Sequence, residues 1–262
     1  MKKIENVHAD EIQIGENTII ESTAVIRGIK GKAKKIIIGD NCYIGEHVQI
    51  ICDHFEIGDY SKIHHNSNIH GYKPCIIGHN LWMGQYCIVD SIGGVSIGNN
   101  CGIGAHSQLW SHIKYGDTLE GCRFHSEKPL QVGNDVWFVG HSIVSPITAE
   151  DKSMALVGSV IVKDMKYNTI YSGSPAQSIS EKVGKQFTER SLNEKMKTMK
   201  QHLENSGVDQ SKIKIVANGS EIESTEHTYF AVNDRKYTKK RTQTEIDFMN
   251  YLLPEKGKFI PY

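Results

Sequence analysis

Large apolar residues recur along this chain on a six-residue beat. Ile14, Ile20 and Ile26 begin it, and Ile38, Ile44 and Ile50 follow, then Ile57, Ile63 and Ile69. It continues through Ile77, Met83 and Val89, then Ile97, Ile103 and Leu109, then Val132, Phe138 and Val144. The residue four places after an anchor is usually small, as at Ala24, Cys42, Ser61, Ser67, Cys87, Cys101, Ser107 and Ser142. Side chains alternate along a strand, so a large and a small residue two positions apart share a face. Each hexapeptide therefore predicts one short strand and its bend. An internal repeat of this kind decides the architecture before any local assignment.

Steps longer than six residues occur after Ile26, Ile50, Ile69, Val89 and Leu109, each time after a completed triplet of anchors. Three hexapeptides thus make one triangular coil, and the insertions share one corner. A degenerate triplet, Ala149, Ala155 and Ile161, arrives one residue early and brings the expectation to about seven coils over roughly residues 10–165. Stacked at about 4.8 Å, the column would be about 30 Å long. Glycine follows the first anchor of most triplets, at Gly15, Gly39, Gly58, Gly78, Gly98 and Gly133. A turn using a positive backbone angle is the expected reason.

The beat stops before residue 181. Val183, Phe187, Met196, Met199 and Leu203 then recur at helical spacing across Glu181 to Asn205, with Gly207 as the stop. Lys212 to Ala217, His227 to Val232 and Arg235 to Lys239 read as strands, with a turn at Asn233-Asp234. Thr242 and Glu245 form a capping-box pattern for a last helix that Pro254 ends. The expected organisation is an all-β solenoid over 1–180, with a loop at 110–131, and a small α+β appendage over 181–262 that serves as a cap or oligomer contact. The basic run Arg235, Lys236, Lys239, Lys240 and Arg241 reads as a solvated strand face.

Basic and acidic side chains cancel at 30 each, which points to neither a nucleic acid nor an anionic membrane as partner. No apolar run approaches the roughly 20 residues of a membrane span, and the N-terminus lacks an apolar export segment. A soluble cytoplasmic protein is the expectation. The six cysteines contain no C-x-x-C pair. Cys42, Cys87 and Cys101 fill the small inward position, while Cys52, Cys75 and Cys122 lie near the inserted corner and are less constrained. All are expected to be reduced.

Departures from a monotonous repeat mark function, and the largest is the loop WSHIKYGDTLEGCRFHSEKPLQ at Trp110 to Gln131. His70, Asp90 and Trp110 each follow a third anchor in successive coils, so they are expected to stack along one edge, two residues short of His112. An acid one coil from a histidine serves either to orient the imidazole or to bind an acceptor.

The stretch CIVDSIGGVSIGNNCGIGAHSQLWSH, followed by VGNDVWFVGHSIVSP, resembles the galactoside and maltose O-acetyltransferases among the hexapeptide-repeat acyltransferases. GSVIVKDMKYNTIYSGSPAQSI resembles that family's C-terminal signature. The resemblance covers roughly residues 35–180. It implies a left-handed parallel β-helix, often trimeric with sites between adjacent prisms. It also implies acetyl-coenzyme A as cosubstrate, no metal, and direct transfer to a small-molecule acceptor, a sugar hydroxyl or amine. Within it, His112 matches the catalytic histidine, whose imidazole, with an ordinary pKa of about 6.5, suits a general base. Gln85 aligns with an acceptor-binding asparagine; the stacking count, independent of the resemblance, assigns Asp90 to the acceptor site, and His125, in the same loop as His112, is the reserve candidate for a substrate contact. Trp137 matches a tryptophan of the cofactor channel and Lys163 a lysine near the nucleotide phosphates. Gln177 replaces a lysine usual in the signature.

Two other readings remain. His65 and His70, in HHNSNIHG, reproduce an H-x4-H-G element of γ-class carbonic anhydrases, which use zinc on the same solenoid. A solenoid that binds without chemistry is the second.

Overall fold

The computed structural model describes residues 6–224 and 226–262. The chain divides into two compact units, one ending at Phe187 and the other beginning at Thr188.

The anchors build the first unit, a parallel β-helix with three faces. On the first face, Ile14, Ile38, Ile57, Ile77, Ile97, Val132 and Ala149 pair in unbroken register. The second face aligns Ile20, Ile44, Ile63, Met83, Ile103, Phe138 and Ala155. The third aligns Ile26, Ile50, Ile69, Val89, Leu109, Val144 and Ile161. From the second coil on, these side chains are buried and form one continuous core. Burying each isoleucine contributes roughly 1.5–3 kcal/mol, so the column of anchors dominates the stability of this unit. Ile170–Gly173 adds one more strand beyond Ala155, and Ala176–Ser178 folds back on it antiparallel.

The small inward residues also tie coil to coil. Ser67 Oγ donates to the Gly84 carbonyl at 3.0 Å and accepts the Cys87 N–H at 3.1 Å. Cys42 and Cys87 each point a thiol at a glycine carbonyl of the next coil, at 3.2 Å in both cases. Cys52 and Cys75 proved as buried as these two, and all six thiols are free.

The corner glycines have a different reason from the one expected. None of Gly15, Gly39, Gly58, Gly78, Gly98 and Gly133 has a positive φ. The left-handed residue comes two places later, at Asn17, Asn41, Tyr60, Asn80, Asn100 and Asp135. Glycine is needed because neighbouring coils approach closely at this corner: a Cβ on Gly39 would press on the backbone of Gly58 and Asp59. Asn and Asp tolerate the left-handed turn through local hydrogen bonding, which frees glycine for the tighter place.

The helix expected over 181–205 is broken, its first turn belonging to the first unit and its main part to the second. Ser180–Val183 ends at Gly184, whose φ of 88° is left-handed, and Leu192–Asn205 starts anew at a capping box of Ser191 and Glu194. The four-stranded sheet runs Ile213–Val216, Thr228–Ala231, Lys236–Tyr237, Ile260–Pro261 in spatial order. Phe230 lies at its centre, with ring centroids of Phe248 and Phe259 each 5.1 Å away. The last helix, Gln243–Leu252, has the expected Thr242 cap. Glu245 does not complete the box; its buried carboxylate accepts the Lys240 and Arg241 N–H groups instead. Burial raises that carboxyl above the ordinary range despite these donors.

Candidate active site

Every insertion falls between the third face and the next coil's first face. The largest joins Gln108–Leu109 to Leu130–Val132. Gly93 lets its two ends close, since a Cβ there would run into the carbonyls of Ser111 and Lys128. Ile113 and Ser126 exchange backbone hydrogen bonds, both 2.8 Å, and Lys114 donates to Glu127. That hydrogen bond is the main reason the Glu127 carboxyl is held below its ordinary range. The loop is thus a pinned hairpin, with Tyr115, Leu119 and Phe124 exposed beyond the pin.

At its base stands a carboxylate and imidazole pair. Alternation after Val89 would turn Asp90 outward, yet the residue is fully buried because Ser111 folds over it. His112 Nδ1 lies 2.7 Å from Asp90 Oδ2. The Ser111 N–H and Oγ reach the same oxygen at 3.0 and 2.9 Å, and Gly93 N–H donates to that Oγ at 2.8 Å. An ionised carboxylate only accepts hydrogen bonds, so Nδ1 of His112 carries the proton and Nε2 presents a lone pair. The His112 side chain is 20% exposed and the Asp90 side chain 0%. The arrangement gives a base held in one tautomer by a group shielded from solvent.

The expected edge is found where registers can be read: His70 pairs with Asp90 across the third face. Trp110 lies just beyond the last paired residue, its ring centroid 6.3 Å from that of His112. Asp90, expected at the acceptor, offers no exposed surface to one. His125 sits on the exposed side of the hairpin, and its side chain makes no hydrogen bond among the described residues.

The remaining candidates lie elsewhere on the prism. Gln85 is in the turn between the second and third faces, after Trp82–Met83. Trp137 stands on the second face, 45% exposed, its indole over Gly102, where a Cβ would come 3.0 Å from the ring. Lys163 is exposed, on the same corner as the long loop but two coils further on. One chain therefore unites His112 with Asp90 and His70 but not with Gln85 or Trp137. Sequence reasoning missed Ser111, whose signal was its place between the third anchor's edge and His112.

His65 packs edge-on against Tyr86 at one corner while His70 faces Asp90 at another, so one chain does not join them. Among the described residues, no three His, Cys, Asp or Glu side chains gather as a metal site.

No family model matches the chain. The galactoside O-acetyltransferase of Escherichia coli (strain K12) is 31% identical over 121 residues, covering 45% of this chain and 56% of the relative. The chain is similar to a sugar acetyltransferase. It spans about half the length of that curated relative. A solved polysialic-acid-specific acetyltransferase, NeuO, overlaps 76% of this chain and 92% of its own at 18% identity, with a TM-score of 0.49. A hexapeptide-repeat acetyltransferase from Vibrio cholerae O1 biovar eltor, solved with acetyl-coenzyme A, overlaps 54% and 68% at 19% identity and 0.37.

Proposed function

We propose that this protein transfers an acetyl group from acetyl-coenzyme A to a hydroxyl or amino group of a sugar, with His112 as general base. The observation that carries the proposal is the 2.7 Å contact between His112 Nδ1 and the buried Asp90 carboxylate, at the base of the largest break in the repeat. Nε2 of His112 takes the proton as the acceptor oxygen or nitrogen attacks the thioester carbonyl. Asp90 offsets the positive charge this creates on the ring. When the tetrahedral adduct collapses, the carbon–sulfur bond breaks and His112 returns the proton to the leaving thiolate.

The other candidates fit binding roles. Trp137 offers a flat exposed indole along the second face, suited to the cosubstrate's arm, and Lys163 an exposed ammonium for its phosphates. Gln85 and His125 contact the acceptor. Because Gln85 and His112 occupy different corners, the complete site is a groove between two copies in a homotrimer. The exposed Tyr115, Leu119 and Phe124 favour such a contact. Among the described residues no helix is long and apolar enough to cross a membrane, and the cytoplasm, where acetyl-coenzyme A is at hand, is the proposed location.

The test is thiol release from acetyl-coenzyme A across panels of free sugars, nucleotide-linked sugars and amino sugars. Turnover on one class identifies the acceptor. Binding of acetyl-coenzyme A with no turnover on any acceptor supports a binding solenoid instead.

A further inference from the structure

The Asp90 carboxylate is used unevenly. Oδ2 receives His112 Nδ1 and the Ser111 N–H, and shares the single Ser111 hydroxyl proton, at 2.9 Å, with the Asp90 carbonyl at 2.7 Å. Oδ1 is buried and has no hydrogen-bond partner. A buried carboxylate oxygen without a donor is costly, and a carboxylate satisfied on one side only is free to twist about its last torsion. Any twist moves Oδ2 and tilts the imidazole it holds.

One ring nitrogen is aimed at the unsatisfied side. His70 is the in-register partner of Asp90, one strand spacing of about 4.8 Å away. Its Nε2 lies 3.7 Å from Asp90 Oδ1. The ring is steered by Asn68, whose Oδ1 is 2.9 Å from His70 Nδ1. Nδ1 thus donates to the amide oxygen, and Nε2 faces the carboxylate, to which it donates only when it too carries a proton. A ring carrying protons on both nitrogens satisfies both acceptors, and a shift of about 0.5 Å brings Nε2 within the 3.2 Å hydrogen-bond limit.

We infer that His70 is a positioning residue: it occupies the free oxygen of Asp90 and thereby locks the carboxylate that orients His112. The inference rests on the reading of His112 as the base. In this role His70 acts through Asp90 and not on a substrate. The Asn68, His70, Asp90, Ser111, His112 network then draws on three successive coils, which explains why the site needs a stacked scaffold.

The test uses the full-length protein with 15N-labelled histidine and two variants, His70→Phe, which fills the space without a donor, and His70→Gln, whose amide nitrogen stands where the imidazole Nε2 stood. The hydrogen-bonded Nδ1–H resonance of His112, assigned by its loss in His112→Ala, is expected to be sharp in the parent, broadened in His70→Phe and restored in His70→Gln. In the assay, His70→Phe should lower kcat about tenfold to a hundredfold, with both KM values within about twofold, and His70→Gln should recover most of it. An unchanged resonance and kcat in His70→Phe overturns the inference. So does a raised acceptor KM at constant kcat, which would make His70 an acceptor contact, or a failure of His70→Gln to restore the resonance. If His112→Ala keeps full activity, the base reading falls on its own, and the resonance still decides whether His70 orders the pair.

Discussion

Two corners of the same prism follow opposite rules. Between the second and third faces the turn never changes length: Asn66, Tyr86, His106 and His141 hold the same left-handed position, with φ between 57° and 61°. The exposed rings of the last three form a ladder, Tyr86 on His106 at 5.1 Å and His106 on His141 at 4.9 Å. Between the third face and the next coil, the connection ranges from the single residue between Cys52 and His54 to the twenty between Leu109 and Leu130. Register explains the first rule, since one extra residue would turn the next anchor outward. Loop-closure entropy, which grows slowly with length, permits the second. The proposed chemistry sits where length is least constrained.

The largest effect should come from breaking the strict corner. A glycine inserted between Gln85 and Tyr86 puts Val89 out of phase, and circular dichroism should show loss of the folded β signal. The equivalent change at the permissive corner should be nearly silent. Cys122 N–H already donates to the Asp117 carbonyl at 3.0 Å, so removing residues 118–121 joins ends that are in contact. Its cost, by denaturant unfolding, should stay within about 0.5 kcal/mol; a large loss would remove the distinction between the corners.

Next in size is Asp90→Asn, which keeps the shape but removes the charge facing the His112 imidazolium. A fall in kcat of about a hundredfold is expected with the melting profile little changed. Phe138→Ala, in the second-face column, should leave a cavity and cost about 3–5 kcal/mol in urea unfolding.

The smallest test concerns thiols. Burial pushes Cys42 up to about 12 and Cys52 and Cys87 up to about 11, and raises Cys75 well above its ordinary value. The thiolate is the reactive form, so these stay unreactive near pH 8. Cys122, half-buried in the permissive loop, should be the one thiol of six that a maleimide labels in the native protein, counted by mass. Labelling of Cys87 without unfolding would mean that the strict corner opens.

The sequence carried the solenoid because anchor and small residue repeat with one period, and each long step exposed the inserted corner. It also placed Asp90 beside His70 and near His112, since strand register converts counting into proximity. It could not reveal that Asp90 is buried, because Ser111 covers it only after the loop closes on Gly93. The corner glycines were legible as punctuation and misread as to cause: coil-to-coil contact is a property of the stack, not of the local turn. After the solenoid, helical spacing runs through Gly184 and Ser191 although both are boundary signals. Gln85 and Trp137 gained nothing from counting, since nothing within one chain brings them to His112.

The proposed role of the His112 imidazole at the permissive corner is to take the acceptor's proton. The direct measurement is kcat for acetyl transfer by His112→Ala, with acetyl-coenzyme A and the preferred acceptor saturating and the β-helix intact by circular dichroism. A loss of 10²–10⁴-fold is predicted. Parental turnover in the folded variant would contradict that role.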